Sequence, residues 1–221
     1  MVGTVDKYGI AFFGIHKAAT SSVKHALWFL REGVPWQGDP MGVHPYFPND
    51  RVSRKDFEAY RNYWRFTVIR DPIKRFLSAY QNRVIDYEDL LHKPGNRQRT
   101  KQEEPSLTVR PDIEAFIANY EAYCRISYSI HIHTCSSRLF IGNDLRYFNA
   151  VYTTSQLDHL KFDLSKHVNR EIRFDRINES GSTPPKFCDL SCEAQSFLLK
   201  HTAKDYELFQ DYFTPPVAKQ D

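Results

Sequence analysis

The sequence predicts an α/β protein with a single domain of P-loop-like, three-layer α/β/α architecture around a central, mostly parallel sheet. Two apolar runs, Ile10–Ile15 and Trp64–Ile69, are rich in strand-forming residues, and the first lacks polar alternation, as in strands buried on both faces. A helix-start pattern follows each run. The length of 221 residues fits one domain, and neither an internal repeat nor a linker is present.

The first unit of this fold is a strand, a short polar loop and a helix. The strand Ile10–Ile15 precedes the loop His16–Ser22, and Gly33 is placed to cap the end of the helix. Apolar residues recur in that helix at helical spacing: Val23, Ala26, Leu27 and Leu30. Loop amides and a helix N-terminus both present positive charge, and Lys17 adds a full one, so we expect an anionic ligand here.

The loop differs from the nucleotide-binding pattern G-x-x-x-x-G-K-[ST], because its Lys precedes the small residues and both glycines are missing. An ordinary kinase or GTPase site is therefore not expected. The loop resembles the 5′-phosphosulfate loop of sulfotransferases, in which a Pro-Lys or His-Lys pair precedes small and hydroxylated residues. The resemblance implies that phosphosulfate is bound by His16, Lys17, Ala18, Ala19, Thr20, Ser21 and Ser22.

Composition limits the classes of function. Hydrophobic residues make up 41% and charged residues 26%, as in globular proteins, and the net charge is only +3. Nucleic acid is therefore not the expected partner, since a nucleic-acid site needs a concentrated basic face. The four cysteines do not form a disulfide pattern, and Cys188 and Cys192 with distant histidines do not make a convincing metal site.

The sequence has no run long enough to cross a membrane and no signal-peptide pattern. We therefore expect either a cytoplasmic protein or the soluble catalytic domain of a longer, membrane-anchored one.

The segments on either side of the second strand are predicted as follows. Met1–Lys7 is a short lead-in, and Val34–Asn49 is an irregular segment because it is rich in Pro, Gly and aromatic residues. Ser53–Asn62 is a polar helix. The strand Trp64–Ile69 ends in Arg70-Asp71-Pro72, where Asp71 and Pro72 are a good helix N-cap and first residue.

The residues after this strand predict a second anion site. Arg70 lies at the end of the strand, and Ser78 lies about two turns along the following helix. The segment Arg70–Tyr80 resembles the motif R-D-P-x-x-R-x-x-S-x-Y of the carbohydrate sulfotransferases. This resemblance implies that Arg70 and Ser78 bind the 3′-phosphate of 3′-phosphoadenosine 5′-phosphosulfate (PAPS). Arg75 is either part of the motif's function or a helix-surface ion pair.

The second half of the chain contains fewer distinctive patterns. We expect a mobile surface insertion at 86–107, either solvated or a gate for an acidic acceptor, with the solvated form favoured. His131 and His133 alternate on a stretch predicted to be extended. The remaining predictions are a helix over 111–124, a strand over 149–154, a helix from Ser155 to Leu160, a closing helix region over 190–213 that Ser191 caps, and a frayed tail over 214–221.

One further nucleotide contact comes from the resemblance. The family has an Asn-x-Ser element before its last helix, and here this element is Asn178-Glu179-Ser180. The resemblance implies that Asn178 and Ser180 lie near the nucleotide.

The expected reaction is transfer of a sulfonate group from PAPS to an acceptor hydroxyl, most readily on a carbohydrate. Lys17 is the expected cation for the leaving oxygen. Deprotonation of the acceptor needs a base, and His44 is the first candidate, with His131, Asp39 and Glu58 as others. His44 lies among aromatic residues that suit a sugar: Trp36, Tyr46 and Phe47. This scheme requires no metal.

Two other classes of function compete with this one. An atypical P-loop phosphotransferase would need magnesium and a Walker-type aspartate. A non-catalytic nucleotide- or nucleic-acid-binding domain would use the basic segment Lys93–Lys101. Neither alternative accounts for both phosphate motifs.

Overall fold

A computed structural model describes residues 2–172, 174 and 183–219. Its sheet has four strands in the order β1 (Gly3–Val5), β2 (Ile10–Phe12), β3 (Trp64–Ile69) and β4 (Ala150–Thr153). The pair β1–β2 is antiparallel, whereas β2–β3 and β3–β4 are parallel. The predicted α/β class with a central, mostly parallel sheet is confirmed.

Helices occupy most of the remaining described chain. The α-helices are α1 (Thr20–Glu32), α2 (Arg54–Ala59), α3 (Pro72–Tyr80), α4 (Asp89–His92), α5 (Asn96–Glu103), α6 (Ile113–Ala118), α7 (Tyr120–Ile126), α8 (Tyr128–Thr134), α9 (Arg138–Ile141), α10 (Leu157–Val168) and α11 (Cys192–Leu208). Short 3₁₀ segments occur at Asp6–Tyr8, Pro40–Tyr46, Leu145–Tyr147 and Phe187–Asp189, and a π-helical segment at Gln81–Asp86. No helix among the described residues is both long and apolar enough to cross a membrane.

The chain divides into two compact units, with a boundary between Arg70 and Asp71. The first unit is Met1–Arg70 with Ser137–Glu179, and the second is Asp71–Ser136 with Ser180–Asp221, as far as these residues are described. The first unit contains the whole sheet. That residues 1–221 form one domain stays a prediction.

The sheet of the first unit is covered on both faces. One face packs against α1 and α10 through a core of Ile10, Phe12, Phe66, Val68, Tyr152, Val23, Leu27, Leu30, Leu157, Leu160 and Leu164. On the other face, Phe13 stacks on Phe57 of α2 with ring centroids 5.6 Å apart. Burial on both faces explains the absence of polar alternation in β2. Each buried leucine contributes roughly 2 kcal/mol to this packing.

The predicted end of the first helix is confirmed. α1 ends at Glu32, and Gly33 caps it with φ +83° while its amide donates to Phe29 O at 2.9 Å. The predicted lead-in is wrong, because Gly3–Val5 pairs with Ile10–Phe12 as an edge strand. α10 begins at Leu157 rather than Ser155 and runs past Leu160 to Val168.

The aromatic, proline-rich stretch after α1 also differs from expectation. Pro40–Tyr46 forms a 3₁₀ helix, and the Asp39 carboxylate caps it by accepting from the Met41 amide at 2.8 Å. Pro40 fits the start of such a helix because its missing N–H needs no partner there. This short helix presents His44 to α1.

The second unit has its own apolar core around α3, which includes Phe76, Leu77, Phe116, Tyr123 and Leu198. Asp71 caps α3, as predicted, by accepting from the Lys74 amide at 2.8 Å. Ser191 caps α11, also as predicted, by accepting from the Ala194 amide at 3.2 Å.

The predicted loop at 86–107 is wrong, because this stretch contains α4 and α5. Polar side chains hold these helices. Asn96 Nδ2 donates to Asp89 O at 2.9 Å, and Thr100 Oγ1 donates to Asn96 O at 2.9 Å. Arg99 Nη1 donates to Ile126 O at 2.9 Å. Composition alone does not reveal such contacts.

Two further expectations for the second unit are corrected. His131 and His133 lie on helix α8 and not on an extended stretch, since the Ser127 side chain caps that helix. The tail at 214–219 has no helix or strand, but the Lys219 amide donates to Gln195 Oε1 at 2.8 Å, so this part is not frayed throughout.

Candidate functional site

The loop between β2 and α1 contains a tight turn. The Ala18 amide donates to Ile15 O at 3.2 Å. Lys17, at the third position of this turn, has φ +66°, as a type II turn requires, and Ala19 has φ +54°. Residues with side chains adopt this left-handed region at a cost of about 1 kcal/mol each. The loop is therefore sharply curved directly ahead of the helix.

The N-terminus of α1 is suited to an anion. The N-cap residue Ala19 offers no side-chain acceptor to the first-turn amides, and that turn contains no acidic residue. Amides at such a terminus carry partial positive charge and commonly bind phosphate or sulfate groups. The thirteen residues of α1 supply a full helix dipole.

Thr20 has a structural role in this loop. Its hydroxyl Oγ1 donates to Ile15 O at 2.6 Å, and the residue is 7% exposed. The family resemblance implies that Thr20 binds phosphosulfate, and this contact stays a prediction. In the structure the hydroxyl ties the start of α1 to the end of the strand segment, which stabilises the turn.

The other predicted loop residues surround this turn. His16 is half-buried, and its ring lies edge-to-face with Phe140 of α9 at 5.2 Å between centroids. Ala18 is fully buried and Ser22 is 3% exposed. Ala18 is therefore covered, side chain and backbone alike, and its predicted contact with phosphosulfate stays a prediction.

Arg70 joins the loop from the neighbouring strand. It follows β3, and its Nη1 donates to Lys17 O at 3.1 Å. The carboxyl ends of parallel strands meet at one edge of a sheet, and this bond brings the two predicted cations, Lys17 and Arg70, to the same edge.

His44 lies against the first turns of α1. Its Nε2 is 3.1 Å from Ser21 Oγ, and its Nδ1 is 3.2 Å from Lys24 Nζ. Ser21 and Lys24 are three residues apart on the helix, so they share one face. The predicted base therefore adjoins the predicted phosphosulfate loop.

Lys24 was not predicted as a site residue. Its side chain is 2% exposed, and burial lowers the pKa of its amine from 10.5 to about 8, an effect that the Asp50 carboxylate partly opposes. Lysine side chains are rarely buried to this extent, and such burial is typical of functional sites. The only available signal was its i+3 spacing from Ser21, combined with an otherwise apolar helix face.

Comparison with known proteins agrees with this geometry. A profile described as "Sulfotransferase family" matches residues 2–212, nearly the whole chain. The chain belongs to the sulfotransferase family. No curated protein and no solved structure matches it. The family predicted from residues 16–22 and 70–80 is thereby confirmed, and sulfonate transfer is the general activity of this family.

In the second unit of the sulfotransferase, two motif residues of α3 are buried. Ser78 is 3% exposed, and its predicted contact with a 3′-phosphate stays a prediction. Arg75 is 2% exposed and donates to His133 O at 3.0 Å and to Cys135 O. Its Nη2 is 3.9 Å from the Asp205 carboxylate. The alternative of a helix-surface ion pair for Arg75 is therefore wrong, because the guanidinium binds the end of α8 in the interior.

The other predicted nucleotide contacts and the alternative bases of the sulfotransferase lie in different parts of the chain. Asn178 and Ser180 lie outside the described residues. Among the alternative bases, Asp39 caps the 3₁₀ helix, Glu58 accepts from Arg54 Nε at 2.9 Å, and His131 lies on α8 of the second unit. Within the described parts of the chain, no three His, Cys, Asp or Glu side chains are grouped as metal ligands.

The aromatic residues near His44 divide into core and surface. Phe47 is fully buried, so it cannot stack on a sugar. Trp36 and Tyr46 pack against Trp28, and the Arg31 guanidinium lies 5.3 Å from the Tyr46 ring centroid. Tyr46 is 50% exposed. A half-exposed tyrosine thus lies two residues from His44 in the sulfotransferase.

Proposed function

We propose that this sulfotransferase takes its sulfonate group from PAPS and transfers it to a carbohydrate hydroxyl. The observation that carries the proposal is the bond from Arg70 to the Lys17 carbonyl beside the uncapped N-terminus of α1. This bond supports the proposal that Lys17, Arg70 and the N-terminus of α1 bind one polyanionic donor together. PAPS, when bound, supplies a sulfonate attached to a good leaving group.

The loop residues of this chain fit the phosphosulfate end of such a donor. The first-turn amides of α1 would bind the anionic oxygens, and Lys17 would stabilise the negative charge that grows on the bridging oxygen. Arg70 would bind phosphate, for which a planar guanidinium is well suited. The parts assigned to Ser78, Asn178 and Ser180 stay predictions of the family resemblance.

His44 is the proposed base. As the acceptor oxygen bonds to sulfur, it loses its proton to a neighbouring group, and a histidine is suited to this near neutral pH. Its 3.1 Å distance from Ser21 Oγ supports this role, because Ser21 belongs to the loop that would bind the sulfonate end.

A carbohydrate acceptor is the class that the family resemblance implies. Tyr46, exposed and two residues from His44, supports it, since an aromatic face packs well against a sugar ring. Trp36 adjoins Tyr46 at 5.6 Å between ring centroids.

The test measures donor binding and transfer separately. Calorimetry compares 3′-phosphoadenosine 5′-phosphate (PAP) with ATP and magnesium, and radiolabelled PAPS is offered with unsulfated chondroitin, heparosan and a simple phenol. We expect PAP to bind more tightly than ATP and the label to enter a polysaccharide. Tighter binding of ATP would favour a phosphotransferase, and labelling of the phenol alone would refute the carbohydrate acceptor. The same assays are applied to Lys17→Ala. Lys55→Ala, which replaces an exposed lysine of the first unit, is its matched control.

A further inference from the structure

Both ring nitrogens of His44 face groups on α1. Lys24 Nζ lies 3.2 Å from Nδ1, and Ser21 Oγ lies 3.1 Å from Nε2. Which of the two nitrogens carries the hydrogen decides whether the imidazole can accept a proton on the side of the loop. This choice depends on Lys24.

The ionisation state of Lys24 fixes the tautomer. An ammonium group has three donors and no acceptor, so Nδ1 must then accept from it, and the single hydrogen of a neutral imidazole sits on Nε2. In that state Nε2 cannot take up a proton. A neutral amine can instead accept from Nδ1–H, and Nε2, 3.1 Å from Ser21 Oγ, then carries the lone pair that can take up a proton.

We propose that Lys24 is a positioning residue for the base His44. His44 takes up the proton of the acceptor hydroxyl at Nε2, while its own Nδ1 proton passes to the Lys24 amine. This inference rests on the proposed function. The acceptor oxygen forms its bond to sulfur, the bond from sulfur to the phosphate oxygen breaks, and PAP leaves with the bonding electrons. Lys24 ends as an ammonium group, which loses its proton to solvent before the next turnover.

The surroundings of Lys24 bring this ionisation into the neutral range. The side chain is 2% exposed, and burial favours the neutral amine over the ammonium form. Two groups act on it from the segment after α1: the imidazole of His44, which contacts it, and the Asp50 carboxylate, which favours the charged form. The balance places the pKa of Lys24 at about 8.

The first experiment follows the imidazole nitrogens of His44 by NMR in the whole protein without donor, from about pH 5.5 to about pH 9.5, with His44→Gln to assign them. In the wild type we expect the hydrogen to move from Nε2 to Nδ1 with a midpoint near pH 8. In Lys24→Met, which has no ionisable group at position 24, the movement of the hydrogen with a midpoint near pH 8 should be lost. In Lys24→Arg, the hydrogen should stay on Nε2, because a guanidinium stays protonated.

The second experiment measures kcat/KM for transfer from PAPS to unsulfated chondroitin and heparosan over the same pH range. The wild-type rate should rise with a midpoint near pH 8, and Lys24→Met should lose this midpoint. Lys24→Arg should be the slowest at every pH, although it keeps the charge. Lys55→Met, which removes an exposed charge, should follow the wild type. A merely structural role for Lys24 would lower the rate without moving the midpoint.

Two results would overturn the inference: a wild-type His44 that keeps one tautomer throughout, or a Lys24→Met enzyme that retains the wild-type midpoint. A loss of PAP affinity with an unmoved midpoint would assign Lys24 to donor binding instead. The wild-type NMR titration decides the question even if a variant fails to fold. If the tautomer moves as expected but PAPS yields no transfer, the proposed function fails, while control of the His44 tautomer by Lys24 is confirmed.

Discussion

The guanidinium of Arg70 donates to the backbone carbonyl of Lys17 at 3.1 Å, so that the residue ending one strand holds the loop that follows its neighbour. A side chain that binds the backbone of the loop in this way can both shape the loop and present charge beside it. The two contributions can be separated by measurement.

Arg70→Lys and Arg70→Ala should both weaken PAP binding. Lysine keeps the charge but loses the planar fork, so we expect a moderate loss for Arg70→Lys and a loss of about 2 kcal/mol for Arg70→Ala. Calorimetry with PAP checks this, and Arg146→Ala, an exposed arginine of the same unit, is the control. Unchanged affinity in both Arg70 variants would contradict the assignment.

Lys17→Ala should affect transfer more than binding. If the ammonium group stabilises charge that develops only as the leaving bond breaks, its loss lowers kcat by roughly 10²–10³-fold. PAP affinity should fall only a few-fold. Single-turnover rates with PAPS, set beside the PAP dissociation constant, measure the two effects. An equal loss in both quantities would assign Lys17 to ground-state binding.

Thr20→Val should destabilise the protein. The hydroxyl that donates to Ile15 O at 2.6 Å is lost while the buried carbonyl stays, so the free energy of unfolding should fall by about 1–2 kcal/mol. Thr20→Ser keeps the hydroxyl and should lose less. Urea unfolding of the three proteins measures the difference. A Val variant as stable as the wild type would mean that the turn does not depend on this bond.

The charge of Lys24 should make stability depend on pH. Its pKa is 10.5 when unfolded and about 8 when folded, so between these values the unfolded chain binds more protons. The free energy of unfolding therefore rises as pH increases from about 8 to about 10.5. Below pH 8, the buried ammonium group lowers it by roughly 3 kcal/mol. Lys24→Met should be more stable than the wild type at pH 7 by about 1–3 kcal/mol and lack this rise. Chemical unfolding at several pH values tests it, and identical pH dependence in both proteins would refute it.

Arg75→Met should be strongly destabilising. Arg75 and Asp205 are each 2% exposed, and removal of the cation takes the counter-ion from the buried Asp205 carboxylate and the guanidinium donor from the carbonyls of His133 and Cys135. The expected loss of unfolding free energy is about 3–5 kcal/mol. Asp205→Asn, which keeps the shape, should cost less. A loss below about 1 kcal/mol for Arg75→Met in urea unfolding would argue that the pair is not coupled.

Much of the fold was predictable because local signals agreed with the tertiary structure. Trp64–Ile69 is strand-forming and buried, and Asp71 with Pro72 begins a helix whichever partner it packs on. The short strand Gly3–Val5 could not be predicted, since three residues carry too little pattern and its pairing depends on Ile10–Phe12. The helices within 86–107 were missed because polar side chains such as Asn96 and Thr100 are buried through hydrogen bonds.

The candidate site was also predictable in part. Motif spacing placed Lys17 and Arg70 at strand ends, and the structure joins them. It also places His44 beside the loop, which residue type alone only suggested. Lys24 was missed because a lysine on a helix is normally solvated, and only the arrangement of α1 against Pro40–Tyr46 reveals its burial.

The curvature of the loop at Lys17 and Ala19 is achieved without glycine. A glycine-rich loop would sample many shapes and would have to be immobilised when its ligand arrives. Here the cost of the left-handed backbone conformation is incurred during folding, so the loop amides are already oriented before the ligand binds. Such preorganisation favours tight association at little entropic loss.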